Sequence, residues 1–247
     1  MITRTQYKWQ LPAAIESRLG DTSYGRQRII FEDGHLLIIV HEPPKADDIT
    51  RQAKVFWRKP SGEIQCNGQD NGDRQLRAFL DNYESKLKAM EALYEEAKRA
   101  DDYFKLVEEL LPVQRAVANT ASALQAAREQ VKQDRFLIEL RDRSYELSRN
   151  FELLLGDTKM AMDYHIARKA EEQVAQANKA VEAQHRLNIL AAVFFPLTAI
   201  ATIFGMNLQH GFESTSPFVF WGVFFVGIVT GLALKGWVVK VPKSPGP

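Results

Sequence analysis

Leu187-Asn188-Ile189-Leu190-Ala191-Ala192-Val193-Phe194-Phe195-Pro196-Leu197-Thr198-Ala199-Ile200-Ala201-Thr202-Ile203-Phe204 contains no charged residue, and neither does Pro217–Leu234. At roughly 1.5 Å rise per residue, each stretch is about long enough to cross a bilayer core as a helix. The short segment between them, which opens with Gly205-Met206-Asn207, forces the two helices into an antiparallel hairpin. The chain is therefore read as ending in a membrane anchor whose loop carries a specific tripeptide.

Working outward, the totals conceal this design. The 247 residues carry a net charge of +1 and an ordinary apolar content, because charges are dense up to about residue 186 and nearly absent from Leu187 to Leu234. The first ten residues lack the apolar core of a secretory signal. Lys169, Lys179 and Arg186 precede the first span and Lys235, Lys240 and Lys243 follow the second, whereas the connecting loop has no Lys or Arg. The positive-inside rule places both termini in the cytoplasm and the loop outside, so the expected location is the cell (inner) membrane. Cys66 is the single cysteine, which permits no internal disulfide and fits a reducing compartment.

The first seventy residues predict a small β-rich unit. Gln27–Glu32 and His35–His41 are rich in Ile, Leu and Val and meet at Asp33-Gly34, a strong hairpin turn; Ala53–Arg58 and Glu63–Cys66 form a second pair around Pro60-Ser61-Gly62. So small a sheet needs a helix over one face, or another subunit.

From about Gly72 the pattern turns helical. Leu76, Phe79, Leu80, Tyr83, Leu87, Met90, Leu93, Tyr94 and Ala97 trace one face, continued by Leu106, Val107 and Leu110. Pro112 either interrupts this helix or opens the next. A second helix is expected from about Val113 to Leu155, with Phe136, Leu137, Leu140, Leu147, Phe151 and Leu154 as its apolar positions. Gly156-Asp157-Thr158 reads as a helix stop and a new N-cap. The third helix then runs to Pro196 without Gly or Pro, and its Ala-rich stretch from Ala167 to Ala183 suits a tightly packed stalk.

The run Leu187–Thr198, with Gly205-Met206-Asn207 nine residues after Pro196, resembles the pore helix and signature of the CorA magnesium-channel family. Phe220-Trp221-Gly222 and the basic end Lys235-Gly236-Trp237 are similar as well, and the resemblance covers about the last sixty residues. It implies a homopentamer with the first span lining the axis, hydrated Mg²⁺ as the transported ion and no cofactor. It also implies a hydrophobic gate at the positions of Leu187 and Phe195.

The chemistry of those residues is consistent with the resemblance. Mg²⁺ sheds its water octahedron reluctantly, so a selective mouth needs neutral acceptors for water hydrogens. The Asn207 side-chain carbonyl and the backbone carbonyl of Gly205 supply them, with Met206 packing the turn. Taken without its flanks, Gly-Met-Asn is an ordinary helix C-cap. Leu187, Ala191, Phe195, Thr198 and Thr202 lie along one helical face and form the predicted pore lining, the alternative being lipid contact or helix packing. Pro196 removes a backbone hydrogen bond beside the gate, or is a tolerated kink.

Glu213, the one acid of the outer loop, would concentrate cations at the mouth. His210 is a candidate ligand for a softer ion, or simply solvated. Glu171 and Glu172 could ring a cytoplasmic exit, and the pairs Glu95-Glu96, Asp101-Asp102 and Glu108-Glu109 invite comparison with sensor carboxylates of the family. Interleaved Lys and Arg account for most of these acids as solvated i,i+4 pairs. No phosphate-binding glycine loop and no Cys/His cluster at zinc spacing occurs, so no enzyme is expected.

The resulting reading is an α+β membrane protein. It has a small β-rich cytoplasmic unit over 1–71, a cytoplasmic helical hairpin over 72–156 and a stalk helix over 157–186. A pore-lining transmembrane helix over 187–206, an outer loop over 207–216, a second transmembrane helix over 217–239 and a disordered tail over 240–247 follow. Its partners are itself, the bilayer and a divalent cation, with no nucleic acid. The alternatives are a Zn²⁺, Co²⁺ or Ni²⁺ transporter of the same family and a non-conducting membrane-anchored helical assembly module.

Overall fold

The computed structural model describes residues 10–21, 23–45, 51–205 and 217–239, without the side chains of 204, 217, 219 and 237–239. The chain forms two compact units, Met1–Ala167 and Arg168–Pro247.

In the first unit, α1 (Ala13–Glu16) precedes a four-stranded antiparallel meander in the order β1 (Arg28–Glu32), β2 (His35–His41), β3 (Ala53–Arg58), β4 (Ile64–Cys66). The strands fall where the turn chemistry put them. Asp33 and Gly34 both have positive φ, 48° and 77°, the geometry of the two-residue turn that matches strand twist. Arg28 pairs with Ile39 and Glu32 with His35, which fixes the register.

β2 is buried on both faces. Leu36, Ile38 and Val40 join Phe56, Ile64 and Cys66 in a core shared with the helices that follow. Leu37 and Ile39 point the other way and pack with Ile30, Val55, Ile15 and Leu19. The sequence predicted helical cover for one face; the second cover, from α1 and the turn after it, was not foreseen because four residues are too short to show a period. Cys66 is buried, and desolvation pushes its thiol up to about 11, so it acts as a small apolar core residue.

The helices differ from the expected boundaries. α2 (Gly72–Glu96) buries Leu76, Phe79, Leu80, Tyr83, Leu87 and Met90, whereas Leu93 is exposed. The chain then breaks at Ala97–Arg99, where the Asp102 carboxylate accepts the backbone N–H groups of Lys98 and Arg99 at the entry to α3 (Ala100–Gln130). Pro112 lies inside α3 and stops nothing.

The next break is at Val131–Asp134, not at Gly156. Asp134 Oδ1 accepts the N–H groups of Phe136 and Leu137, and α4 then runs from Arg135 to Gly205. Gly156 is a helical residue within α4, and Thr158 is no N-cap: its buried hydroxyl donates to the Leu154 carbonyl at 2.6 Å. The boundary expected at 156/157 is therefore not a helix end. Leu137, Leu140, Leu147, Phe151 and Leu154 do enter the core.

In the second unit, the part of α4 from Arg168 precedes α5 (Pro217–Val239). Among the described residues, one helix is long and apolar enough to cross a membrane; its 18-residue window within Arg135–Ile203 has a mean hydropathy of 1.7 and is wholly unburied. The apolar stretch of α5, Phe220–Gly236, is shorter.

Candidate functional site

α5 sits against α4 through two glycines one helical turn apart. A Cβ at Gly231 would come within 2.9 Å of the Val193 carbonyl oxygen, and one at Gly227 within 3.2 Å of Leu197 Cδ1 and 3.4 Å of Ile200 Cδ1. The absent side chains let the two backbones approach closely, as small residues spaced by four do in apolar surroundings. The four-residue spacing of Gly227 and Gly231 is the sequence signal for this contact.

The packing assigns the faces of α4. At about 100° per residue, Val193, Leu197 and Ile200 centre roughly 200° from the stripe of Leu187, Ala191, Phe195, Thr198 and Thr202. α5 thus covers one side and leaves the opposite one clear. Leu187 is 59% and Phe195 72% exposed, Thr198 and Thr202 are exposed, and Ala191 is half-buried. Pro196 lies between the two faces within a continuous helix.

The threonines have a defined polarity. Thr198 Oγ1 donates to the Phe194 carbonyl, and Thr202 Oγ1 donates to the Thr198 carbonyl at 2.7 Å. Each hydroxyl hydrogen is committed to the helix, so each oxygen presents lone pairs outward. Water molecules bound to a cation direct their hydrogens away from it, and a pair of such acceptors suits them.

Gly205 ends α4 with open space around its Cα. Met206, Asn207, Glu213 and His210 lie outside the described residues. On the stalk, Glu172 pairs with Arg168 at 3.3 Å, and Glu171 and Glu172 are exposed.

One acid of two of the pairs has a structural partner. Asp102 caps α3, and its carboxyl is held below the usual range by the Arg99 guanidinium and the Lys98 N–H. Glu109 meets Lys86 at 3.4 Å across α2 and α3. Glu96, Asp102 and Glu109 do line a cleft of about 380 Å³ with Lys105. Among the described residues, no group of three or more His, Cys, Asp or Glu could hold a metal ion.

The model of the CorA-like Mg2+ transporter protein family matches residues 15–240. The cytoplasmic domain of ZntB from Vibrio parahaemolyticus aligns at 11% identity and a TM-score of 0.52, over 66% of this chain and 80% of that one. Full-length CmaX aligns at 14% identity and 0.50, over 94% and 82%. The CorA magnesium transporter from Methanocaldococcus jannaschii aligns at 15% identity and 0.37, over 88% and 80%. No curated protein matches. The first two likenesses show a shared fold, and the family match covers most of the sequence: this chain belongs to the CorA-like family of Mg²⁺ transporter proteins.

Proposed function

We propose that this chain is a passive Mg²⁺ uptake channel of the inner membrane. The hairpin of α4 and α5 spans the bilayer twice with both termini cytoplasmic, and five copies place the Leu187–Thr202 stripe around a common axis. The observation that carries this reading is the packing of α5 on Val193, Leu197 and Ile200, because it leaves the stripe opposite free to face an axis. One hairpin cannot enclose a pore, so permeation requires the oligomer.

At the outer mouth, Asn207 and the Gly205 carbonyl accept hydrogens of the hydrated ion, Met206 packs the turn, and Glu213 raises the local cation concentration. Thr202 and Thr198 pass the ion inward by the same acceptor chemistry. Phe195, Ala191 and Leu187 form an apolar stretch that a hydrated ion crosses only when the surrounding helices widen it, which makes it the gate. The membrane potential drives entry with about 4.6 kcal/mol for a divalent ion at 100 mV. No cofactor takes part.

Flux of Mg²⁺ and of Zn²⁺, measured separately into proteoliposomes under an inside-negative potential, tests the reading. Mg²⁺ uptake that disappears in Asn207→Ala, with assembly intact, supports it. Uptake of Zn²⁺ alone would reassign the ion. No flux of either ion from an assembled oligomer would leave a membrane-anchored helical module as the better reading.

A further inference from the structure

The exposed stripe of α4 does not end at Leu187. Read inward from Thr202, positions 202, 198, 195, 191, 188 and 184 alternate in steps of four and three, the spacing that holds residues to one side of a helix. The inner end belongs to Asn188 and Gln184, both exposed, and Gln184 Nε2 donates to Asn188 Oδ1 at 3.1 Å. The stripe therefore has two hydroxyls, an aromatic ring, a methyl group and two amides in sequence. Thr198 and Asn188 are separated by about 15 Å of helix at 1.5 Å per residue, with apolar side chains between them.

The internal hydrogen bond gives the amides a direction. With a Gln184 N–H committed to Asn188, Gln184 Oε1 sits on the opposite side of the same amide carbon and keeps both lone pairs, and Asn188 Oδ1 keeps one. These are neutral acceptors of the kind the threonines supply at the outer end. Carboxylates are placed elsewhere: Glu171, Glu172 and Glu182 fall roughly 120–160° around the helix from the stripe, and Glu172 is engaged by Arg168. A cation at this level keeps its water as first ligand, because no anionic oxygen on the stripe replaces it.

We propose that Gln184 and Asn188 form a second station for the hydrated divalent cation, at the cytoplasmic end of the apolar stretch where they flank Leu187, at which an ion leaving the gate is held before release. The station rests on the channel reading above. Each subunit of the oligomer contributes one amide pair, so neutral acceptors stand at both ends of the apolar stretch, the threonines outside Phe195 and the amides on either side of Leu187.

The test is Mg²⁺ flux into proteoliposomes of the full-length protein, with internal Mg²⁺ either absent or millimolar, for wild type, Gln184→Leu and Gln184→Glu. Gln184→Leu lowers maximal flux about tenfold while the external half-saturating concentration is unchanged, since the outer mouth is intact. Gln184→Glu conducts with no internal Mg²⁺ and is blocked by millimolar internal Mg²⁺, because a carboxylate holds the ion that an amide releases.

If the Gln184–Asn188 bond serves only the helix, Gln184→Glu, whose carboxylate accepts from the Asn188 amide once that amide turns over, conducts like wild type without internal block, and the station is overturned. A Gln184→Leu variant that matches a conducting wild type overturns it equally. A wild type that passes no divalent ion removes the channel reading and the station with it. Should Gln184→Leu fail to assemble, the internal block of Gln184→Glu decides the question alone.

Discussion

Gly231 approaches Val193 so closely that a Cβ on the glycine would lie 2.9 Å from the Val193 carbonyl oxygen and 3.1 Å from its Cα. The obstacle is backbone, which cannot rotate away as a side-chain tip can. Gly231→Val therefore pushes α5 off α4, at a cost of about 1–3 kcal/mol, the range for overpacking a close contact. Thermal unfolding in detergent should show the loss. Gly236→Val serves as the control, since nothing lies within 4 Å of that position; equal destabilisation by both variants would show that the contact at Val193 is not the cause.

The threonine pair makes a separable prediction. Thr198→Val and Thr202→Val keep shape and remove the outward lone pairs, while the carbonyls they bonded remain in the helix ladder. Mg²⁺ flux should fall about five- to tenfold per site, the equivalent of one lost hydrogen bond in the barrier, with the melting temperature nearly unchanged. Unaltered flux would take the hydroxyls out of the ion path.

Arg58 and Asp134 lock β3 to the start of α4. Arg58 Nε donates to Asp134 Oδ2 at 2.7 Å, with the side chains only 13% and 15% exposed, while Asp134 Oδ1 caps the helix. Asp134→Ala removes the cap and leaves a nearly buried guanidinium without this partner, a loss of about 3–5 kcal/mol. Asp134→Asn keeps an acceptor for the cap and should cost less. Circular dichroism against denaturant orders the two; the reverse order would show that charge and cap are not both in use.

His41 sets a pH dependence. Its ring nitrogen Nε2 meets the Gly25 carbonyl at 3.1 Å, and its pKa lies below the ordinary 6.5, chiefly because burial disfavours the charged ring; the Gly25 hydrogen bond opposes this, and Arg51 adds to it. Below 6.5 the unfolded chain takes up the proton more readily than the folded one. Stability from this group is thus full above pH 6.5 and is lost as the pH falls toward the depressed value. The difference in melting temperature between pH 7.5 and pH 5.5 should shrink in His41→Gln. An unchanged difference would assign the acid sensitivity to other groups.

Much of the fold was written locally. Asp33-Gly34 fixed a hairpin, the Leu36–Val40 run fixed a strand, and the spacing of Leu76 to Met90 fixed the buried face of α2. Two helix breaks were missed. Asp102 and Asp134 act as caps only through side-chain bonds to particular N–H groups, and neither Gly nor Pro marks the positions. Conversely Gly156 and Pro112 were given more weight than they hold, since packing carries a helix through a residue of poor propensity.

By itself the sequence determined the segregation of charged and apolar segments, the turns, and the stripe from Leu187 to Thr202, because all of these depend on neighbours within a few residues. Tertiary structure decided which side of α4 is covered, by setting Gly227 and Gly231 of α5 against Leu197 and Val193. It also decided the lock between Arg58 and Asp134, 76 residues apart, and the bond from Thr120 to Gln27, 93 residues apart. Such pairings leave no period in the chain: a contact between distant residues depends on how whole faces meet, and that is set only when the faces are buried together.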